Sequence, residues 1–412
     1  MAIPDQSSVF FNPLDADYVP NPFPHLARMR EDAPVQQTLA GPWALFRYND
    51  VFRLLRDPTL SVDDTNADLS DSQRAVMFDE LYGEDVPAPD TSILNTDPPD
   101  HTRLRRLVSK VFTPRAIEAL RPMIQGKVDA ALDQMEADVV TDVVDRLAFP
   151  LPFDVISEMM GMPDSDRDQI RDWSEALVKT LDPILTEDDV RAAHAANIAM
   201  RDHIDRVIEW KRSNPGDDLM TKLIDAEDDG DRLSAVELRD QVSVLFVAGH
   251  ETTVNLVGTG IYEMLRHPDQ MKLWIDDPDI SVNGIDELLR FVSPVQFSRR
   301  IATGDIEYGG SIIPKGSFVL AGLASANRDP RHWGPDADCL DLARDGAGTH
   351  VSFGSGIHYC LGSSLAKLEG RIAIGSFITR FPNARVVDEP EWNGRINLRG
   401  IQKLMVDVSP RA

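Results

Sequence analysis

One cysteine closes a glycine-rich run, Phe353-Gly354-Ser355-Gly356-Ile357-His358-Tyr359-Cys360-Leu361-Gly362, and no other stretch limits this chain as strongly. Its glycines let the backbone turn tightly and approach a flat ligand closely. Leu361, Leu365, Leu368 and Ile372 recur at helical spacing, so a helix is expected to begin at Cys360 or just after it. A helix N-terminus offers free N–H groups and positive potential. Both lower the pKa of a thiol. The arrangement therefore suits a thiolate that must ligate a metal. Cys339 has no such surroundings and reads as a small buried hydrophobe.

At 412 residues and 42% hydrophobic, the chain can bury a large core. Its two cysteines exclude a disulfide framework and fit a reducing compartment. Met1 to Pro13 has neither the basic nor the apolar region of a signal peptide. No stretch approaches the length of a membrane span. A cytoplasmic protein without a membrane anchor is expected. The net charge of −26 argues against nucleic acid, which needs clustered Lys and Arg. The acidic run from Asp217 to Asp231 reads as a solvated face.

Helical patterns dominate, with strand-like pieces at 35–39, 43–48 and 304–319 and near the C-terminus, and an irregular acidic segment at 63–92. Helices are expected from Pro99 to about Arg212, with Thr113-Pro114 as a good helix start. The longest should run from Glu237 to Leu265, opened by a Ser234–Glu237 capping box and stopped by Pro268. Val242 to Ala248 is apolar nearly all round, as in a helix crossing a core. Inside it, Ala248-Gly249-His250-Glu251-Thr252-Thr253 places a glycine and two threonines where helix propensity disfavours them. A local rule broken at such depth hints at function, although a kinked structural helix with a solvated Glu251 is the alternative. A threonine there can bond back to the carbonyl of Ala248 and bend the helix. Two further motifs are Asp97-Pro98-Pro99-Asp100-His101-Thr102-Arg103-Leu104-Arg105-Arg106 and Glu287-Leu288-Leu289-Arg290. In the first, His101 and Arg105 share a helix face; in the second, Glu287 and Arg290 can pair.

Together these motifs, in this order, resemble the cytochrome P450 family of its soluble, bacterial type. The resemblance implies a mainly α, prism-shaped fold with small β-sheets, one domain over residues 1–412. It implies haem b (iron protoporphyrin IX) with Cys360 as iron ligand, within a loop where Phe353, Gly354 and Gly362 contact the cofactor. The haem carboxylates would be held by His101, Arg105, Arg300 and His358, with Arg299 as the neighbouring choice. Ala248 would leave room beside the iron. Thr252 would hydrogen-bond dioxygen, and Glu251 would help relay protons. Glu287 and Arg290 would form a structural pair bracing the haem loop, with Arg344 or a nearby residue.

The activity implied is insertion of one oxygen atom from O2 into a hydrophobic small molecule, most simply a hydroxylation. A peroxide-driven peroxygenase and a non-catalytic haem sensor are the competing readings. The family's topology would line the substrate pocket with Ile93, Leu94, Leu177, Val244, Val247, Ala248, Val295 and Phe297, mostly apolar as such pockets are. Electrons would come from NAD(P)H through a ferredoxin reductase and a ferredoxin. Between positions 103 and 121 the only acid is Glu118, set against Arg103, Arg105, Arg106, Lys110, Arg115 and Arg121. Such a basic patch on an acidic protein can steer an acidic partner, with ordinary solvated helix charges as the alternative.

Overall fold

The computed structural model describes residues 10–15, 17–70, 91–163, 167–182, 185–228 and 231–409. Most of the irregular segment expected at 63–92, the first nine residues and two positions of the acidic run lie outside the described residues.

Helices predominate. Six of them position the site: α1 (Tyr48–Arg56), α2 (Asp100–Ser109), α3 (Arg167–Lys179), α4 (Ala235–Arg266), α5 (Ser281–Val292) and α6 (Ser363–Arg380). Five short strands form a mixed sheet: β1 (Val35–Gln37), β2 (Trp43–Leu45), β3 (Leu60–Ser61), β4 (Phe297–Ala302) and β5 (Phe318–Gly322), in the order β1-β2-β5-β4-β3. Only the β2–β5 pair is parallel, with Trp43 opposite Val319. The strands are shorter than their sequence patterns, because Tyr48 already starts α1.

The central helix α4 starts and stops where its residues dictate. Ser234 accepts from the Glu237 N–H at 3.2 Å, and Glu237 accepts from the Ser234 N–H at 2.8 Å. Pro268 opens the next helix after a break at His267. From Thr253 to Ile261 every side of α4 is buried, so its second half is held by packing on all faces. The main core lies where α4, α5 and α6 meet the helix Arg121–Glu136. A second cluster joins the first half of α4 to the helices Pro150–Met160 and Glu187–Ser213.

Four expectations need correction. The helix after the cysteine begins at Ser363, with Gly362 as its cap residue. Cys360 and Leu361 belong to a turn, because the Cys360 N–H is used by the Phe353 carbonyl at 2.9 Å. The helical stretch from 99 to 212 is interrupted by a strand, Val140–Asp142, paired with Met405–Asp407. Cys339 is exposed, not buried. Parts of the acidic run, moreover, are not a solvated face: Asp218 holds the buried Lys211 at 2.5 Å, and Asp231 meets Arg103 at 3.6 Å.

Candidate active site

The cysteine loop rests on α5. Glu287 and Arg290 are fully buried and joined by two hydrogen bonds of 2.7 and 2.8 Å. Arg344 adds a third at 3.1 Å to the same carboxylate. Arg290 also donates to the carbonyls of Asn327, Ala337 and Cys339 at 2.7, 2.7 and 2.9 Å. One carboxylate thus serves two guanidiniums, whose remaining donors are spent on backbone carbonyls and, for Arg344, also on the Asp336 carboxylate at 3.3 Å. A planar five-donor group can do this and an ammonium cannot. The structural brace expected for Glu287 is therefore a triad, and Arg344 is its third member.

From this base, α5 grips both ends of the loop. Ser352 donates to the Leu289 carbonyl at 2.7 Å, and Asn327 donates to Ser352 at 2.7 Å while accepting from the Val351 N–H at 2.8 Å. His350 accepts from the Ser352 N–H through Nδ1 at 3.1 Å, which leaves its proton on Nε2, 3.3 Å from Asp286. On the far side of the loop, Lys367 of α6 reaches the same Asp286 at 2.5 Å.

Within the loop, Gly354 and Gly356 have φ of 69° and 72°, the left-handed region that favours glycine. A Cβ on Gly356 would also come within 2.7 Å of the Leu55 carbonyl of α1. The Cys360 side chain lies deep in the protein yet is exposed where the loop opens. Burial pushes its thiol up, while the N–H of Gly362, the Arg105 charge and the N–H of Ser363 pull it back down. These groups are what a thiolate requires.

Beside the loop lies a group of basic side chains, two histidines and two arginines. The His101 and His358 rings are 4.1 Å apart. Arg105 donates to the Tyr359 carbonyl. Arg300 is buried and, among the described residues, bonded only to the Ser298 hydroxyl and the Arg299 carbonyl, at 3.1 and 2.7 Å. Arg299 points elsewhere, to Asp64 at 2.5 Å. Burial first, and then the neighbouring cations, hold His101 down to about 4 and His358 down to about 3. Burial lowers Arg300 to about 10. The acid nearest this group, Asp97, already accepts from Ser61 and from the Val62 N–H. His101 is 1% exposed, and neither ring nitrogen has a partner among the described residues. Buried polar atoms are rarely left so. Two histidines and two arginines that share so little negative charge fit a ligand carrying carboxylates. Arg300, Gly354 and His358 line a cleft of about 1010 Å³ together with Tyr48, Arg56 and Val351. The cleft opens on this carboxylate side and takes in no residue of α4.

On α4 the expected back-bond is present: Thr252 donates to the Ala248 carbonyl at 3.0 Å. Its hydroxyl then offers only lone pairs to anything else. Val244, Val247, Ala248 and Thr252 are not fully covered, nor are Ser243, Leu245 and Gly249 beside them, and the first four recur on one face. Glu251 is not solvated. It is buried and bonded to Arg395 at 2.7 Å, and burial pushes its carboxyl up against the pull of Arg395.

Ile93 and Leu94 are brought beside α4 by its first turns. Gln241 accepts from the Ile93 N–H and donates to the Thr91 carbonyl, both at 3.2 Å. Asp240 accepts from Thr91 at 2.9 Å. Leu94 and Leu181 stay 47% and 42% exposed. Leu177 packs partly against the second core cluster, and Val295 bridges to Leu398. Phe297 is buried in an aromatic cluster, 5.3 Å from Phe11, and adds to the core there. Sequence reasoning missed Arg395, Asp240 and Gln241. Arg395 stands 144 positions from Glu251, and nothing in its own neighbourhood marks it. Asp240 and Gln241, as buried polar residues in the first turns of an apolar helix, were detectable.

The cytochrome P450 family profile matches residues 43–273 and 282–393. Cytochrome P450 107B1 of Saccharopolyspora erythraea is 42% identical over 92% of this chain and 93% of its own. The vitamin D(3) 25-hydroxylase of Pseudonocardia autotrophica is 40% identical over 95% of both chains. The solved structure of PksS, a bacillaene polyketide synthase cytochrome P450 of Bacillus subtilis, superposes with a TM-score of 0.87 at 36% identity, over 97% of this chain and 100% of that one.

This chain belongs to the cytochrome P450 family. Its fold is that family's mainly α fold with small sheets, its cofactor is haem b, and its activity is that of a haem-thiolate monooxygenase acting on small molecules with redox partners. Among the described residues no helix is long and apolar enough to cross a membrane.

Proposed function

We propose that residues 1–412 form one cytoplasmic monooxygenase domain that oxidises a bulky hydrophobic compound with electrons from a ferredoxin. The observation that carries the site assignment is His101, buried with two unpartnered ring nitrogens beside His358, Arg105 and Arg300. When bound, haem supplies a redox-active iron at which one oxygen atom of O2 passes to the substrate and the other leaves as water.

The chain's own groups have distinct tasks. Cys360 ligates the iron, in a loop closed by Phe353, Gly354 and Gly362. Arg105 and Arg300 neutralise the haem carboxylates, and His101 and His358 donate hydrogen bonds to them. Forming water takes protons, and Glu251 and Thr252 are the groups on α4 able to hold and pass them. Ile93, Leu94, Leu177, Val244, Val247, Ala248 and Val295 exclude water and hold the substrate, and Phe297 supports that wall from the core. The name of the Pseudonocardia relative supports a substrate of secosteroid size.

Two experiments test this reading. Ferric protein titrated with steroids, terpenes, macrolides and fatty acids gives a saturable low-to-high-spin shift with one class; absence of a thiolate-type haem spectrum would overturn the assignment. Thr252→Ala keeps haem and the spin shift but lowers product formed per NAD(P)H about tenfold, the rest appearing as peroxide. Unchanged coupling removes Thr252 from the proton path.

The ferredoxin dock is assigned to Arg106, Lys110 and Arg115, all exposed. Arg103 and Arg121 are engaged by Glu237 and Glu118. Reversing the three charges to Glu lowers ferredoxin-driven reduction about tenfold at low salt and flattens its salt dependence. The spin shift with substrate is unaffected. A rate and salt slope equal to those of the unaltered protein would place the dock elsewhere.

A further inference from the structure

The loop Asn393–Gly400, between the paired strands Glu391–Trp392 and Ile401–Lys403, touches three separate parts of the site. On α4, Arg395 bonds to Glu251 at 2.7 Å, and one turn later Asn255 donates to the Leu398 carbonyl at 3.3 Å. There the loop lies so close to α4 that a Cβ on Gly400 would fall 1.7 Å from the Asn255 side-chain oxygen. At the end of α3, the Asn397 N–H donates to Asp182 at 2.7 Å, and its side chain donates to the Leu181 carbonyl at 3.1 Å. After α5, Asn397 accepts from the Phe297 N–H at 2.9 Å, and its carbonyl accepts from the Gln296 N–H at 2.8 Å. A single asparagine therefore fastens this loop both to the Leu181–Asp182 segment and to the base of β4.

Arg395 lies near two acids, the buried Glu251 and the half-buried Asp182. Its guanidinium bonds to Glu251, and its charge also acts on Asp182. The other charged group that acts on Glu251 is Glu175 of α3, which opposes ionisation. Adjacent His250, donating to the Phe149 carbonyl at 3.3 Å and held down to about 4 by burial, is neutral at pH 7; Arg171 of α3 acts on that ring. Arg395 is thus the cation that pulls the Glu251 carboxyl down against burial and Glu175.

We propose that the Asn393–Gly400 loop is a strap tying the charge of Glu251 to the seating of the Leu181–Asp182 segment, with Arg395 as the positioning residue. The inference rests on the proposed relay role of Glu251 and adds a control to it. With the segment seated, Asn397 holds the strap and Arg395 holds Glu251 ionised. When the segment lifts, Asn397 loses two of its bonds and Arg395 withdraws. The buried carboxyl, left beside Glu175, then takes one proton from the water admitted by the opening. Reseating returns Arg395 and releases that proton inward. Loading of the acid is thereby linked to opening of the mostly apolar wall formed by Leu177 and Leu181.

The test is an infrared pH titration of the protonated-carboxyl band in the haem-loaded protein. Glu251→Gln identifies the band of Glu251 and separates it from Glu369, a buried acid pushed up to about 8 that also absorbs there. In Arg395→Gln the Glu251 band persists to a pH higher by about one unit or more, and Arg395→Lys returns it most of the way. In Asp182→Ala the band also moves upward. Electrostatics alone give the opposite sign, because removing a neighbouring negative charge favours ionisation. An unmoved band in Arg395→Gln overturns the role of Arg395. A normal upward shift there, with no shift or a downward one in Asp182→Ala, overturns the link to the Leu181–Asp182 segment. The carbon monoxide spectrum of the unaltered protein tests the haem-thiolate assignment separately, so failure of the strap and failure of that assignment are told apart.

Discussion

Cys360→Ser is expected to leave a folded protein that no longer gives the thiolate-type ferrous–carbon monoxide spectrum and forms no coupled product. The loop that carries Cys360 is built by other residues: the Cys360 N–H bond to the Phe353 carbonyl, the left-handed glycines and the anchors on α5 all survive the change. A serine hydroxyl fits the same space and can accept from the N–H groups of Gly362 and Ser363 that face the sulfur. It cannot supply the charge. Two N–H groups and an arginine pull the thiol down against burial, and a metal ion favours the thiolate further, whereas a hydroxyl remains neutral and is a poor ligand for iron. Haem is still retained in part, because His101, Arg105, Arg300 and His358 bind its carboxylates independently of the iron. Circular dichroism, haem content and the carbon monoxide spectrum read the three consequences separately. A surviving thiolate-type spectrum would mean that the iron ligand is not Cys360.

The second large effect falls on stability. Glu287→Ala should cost on the order of 3–5 kcal/mol, the range for removing one partner of a buried ion pair, and the protein should accumulate poorly and without haem. Here the loss is doubled in kind, since Arg290 and Arg344 both lean on that carboxylate and both are buried. The other donors of Arg290 go to backbone carbonyls, which remove no charge, and Arg344 keeps only a 3.3 Å contact with the exposed Asp336 carboxylate beside its own backbone bonds. Against a total stability of roughly 5–15 kcal/mol, such a loss is a large share. Glu287→Gln keeps the shape and one acceptor, so it should fall between the two in thermal midpoint and haem content. A Glu287→Ala protein with ordinary haem content and thermal midpoint would show that the cysteine loop does not depend on the triad.

The family was legible in the sequence because its marks are local. A capping box, a proline stop, an apolar stretch broken by Gly249 and Thr252, and a glycine-rich cysteine loop each act within a few residues, through backbone geometry and helix ends. The Thr252 back-bond spans four residues, and it forms as the pattern required. The start of α6 was read three residues early, because hydrophobic spacing cannot reveal that the Cys360 N–H is spent on a turn.

What only the tertiary structure decided concerns charges that meet across the chain. Arg299 and Arg300 are adjacent and chemically identical. Asp64, brought alongside by pairing of β3 with β4, takes one and leaves the other in the carboxylate cleft. Glu251 is an acid on an amphiphilic-looking turn until packing removes its water and the C-terminal loop supplies Arg395. Helix ends and turns are set by neighbours in sequence, so the chain announces them. Burial and ion pairing are set by neighbours in space, and the charge of a buried acid belongs to the fold as much as to the residue.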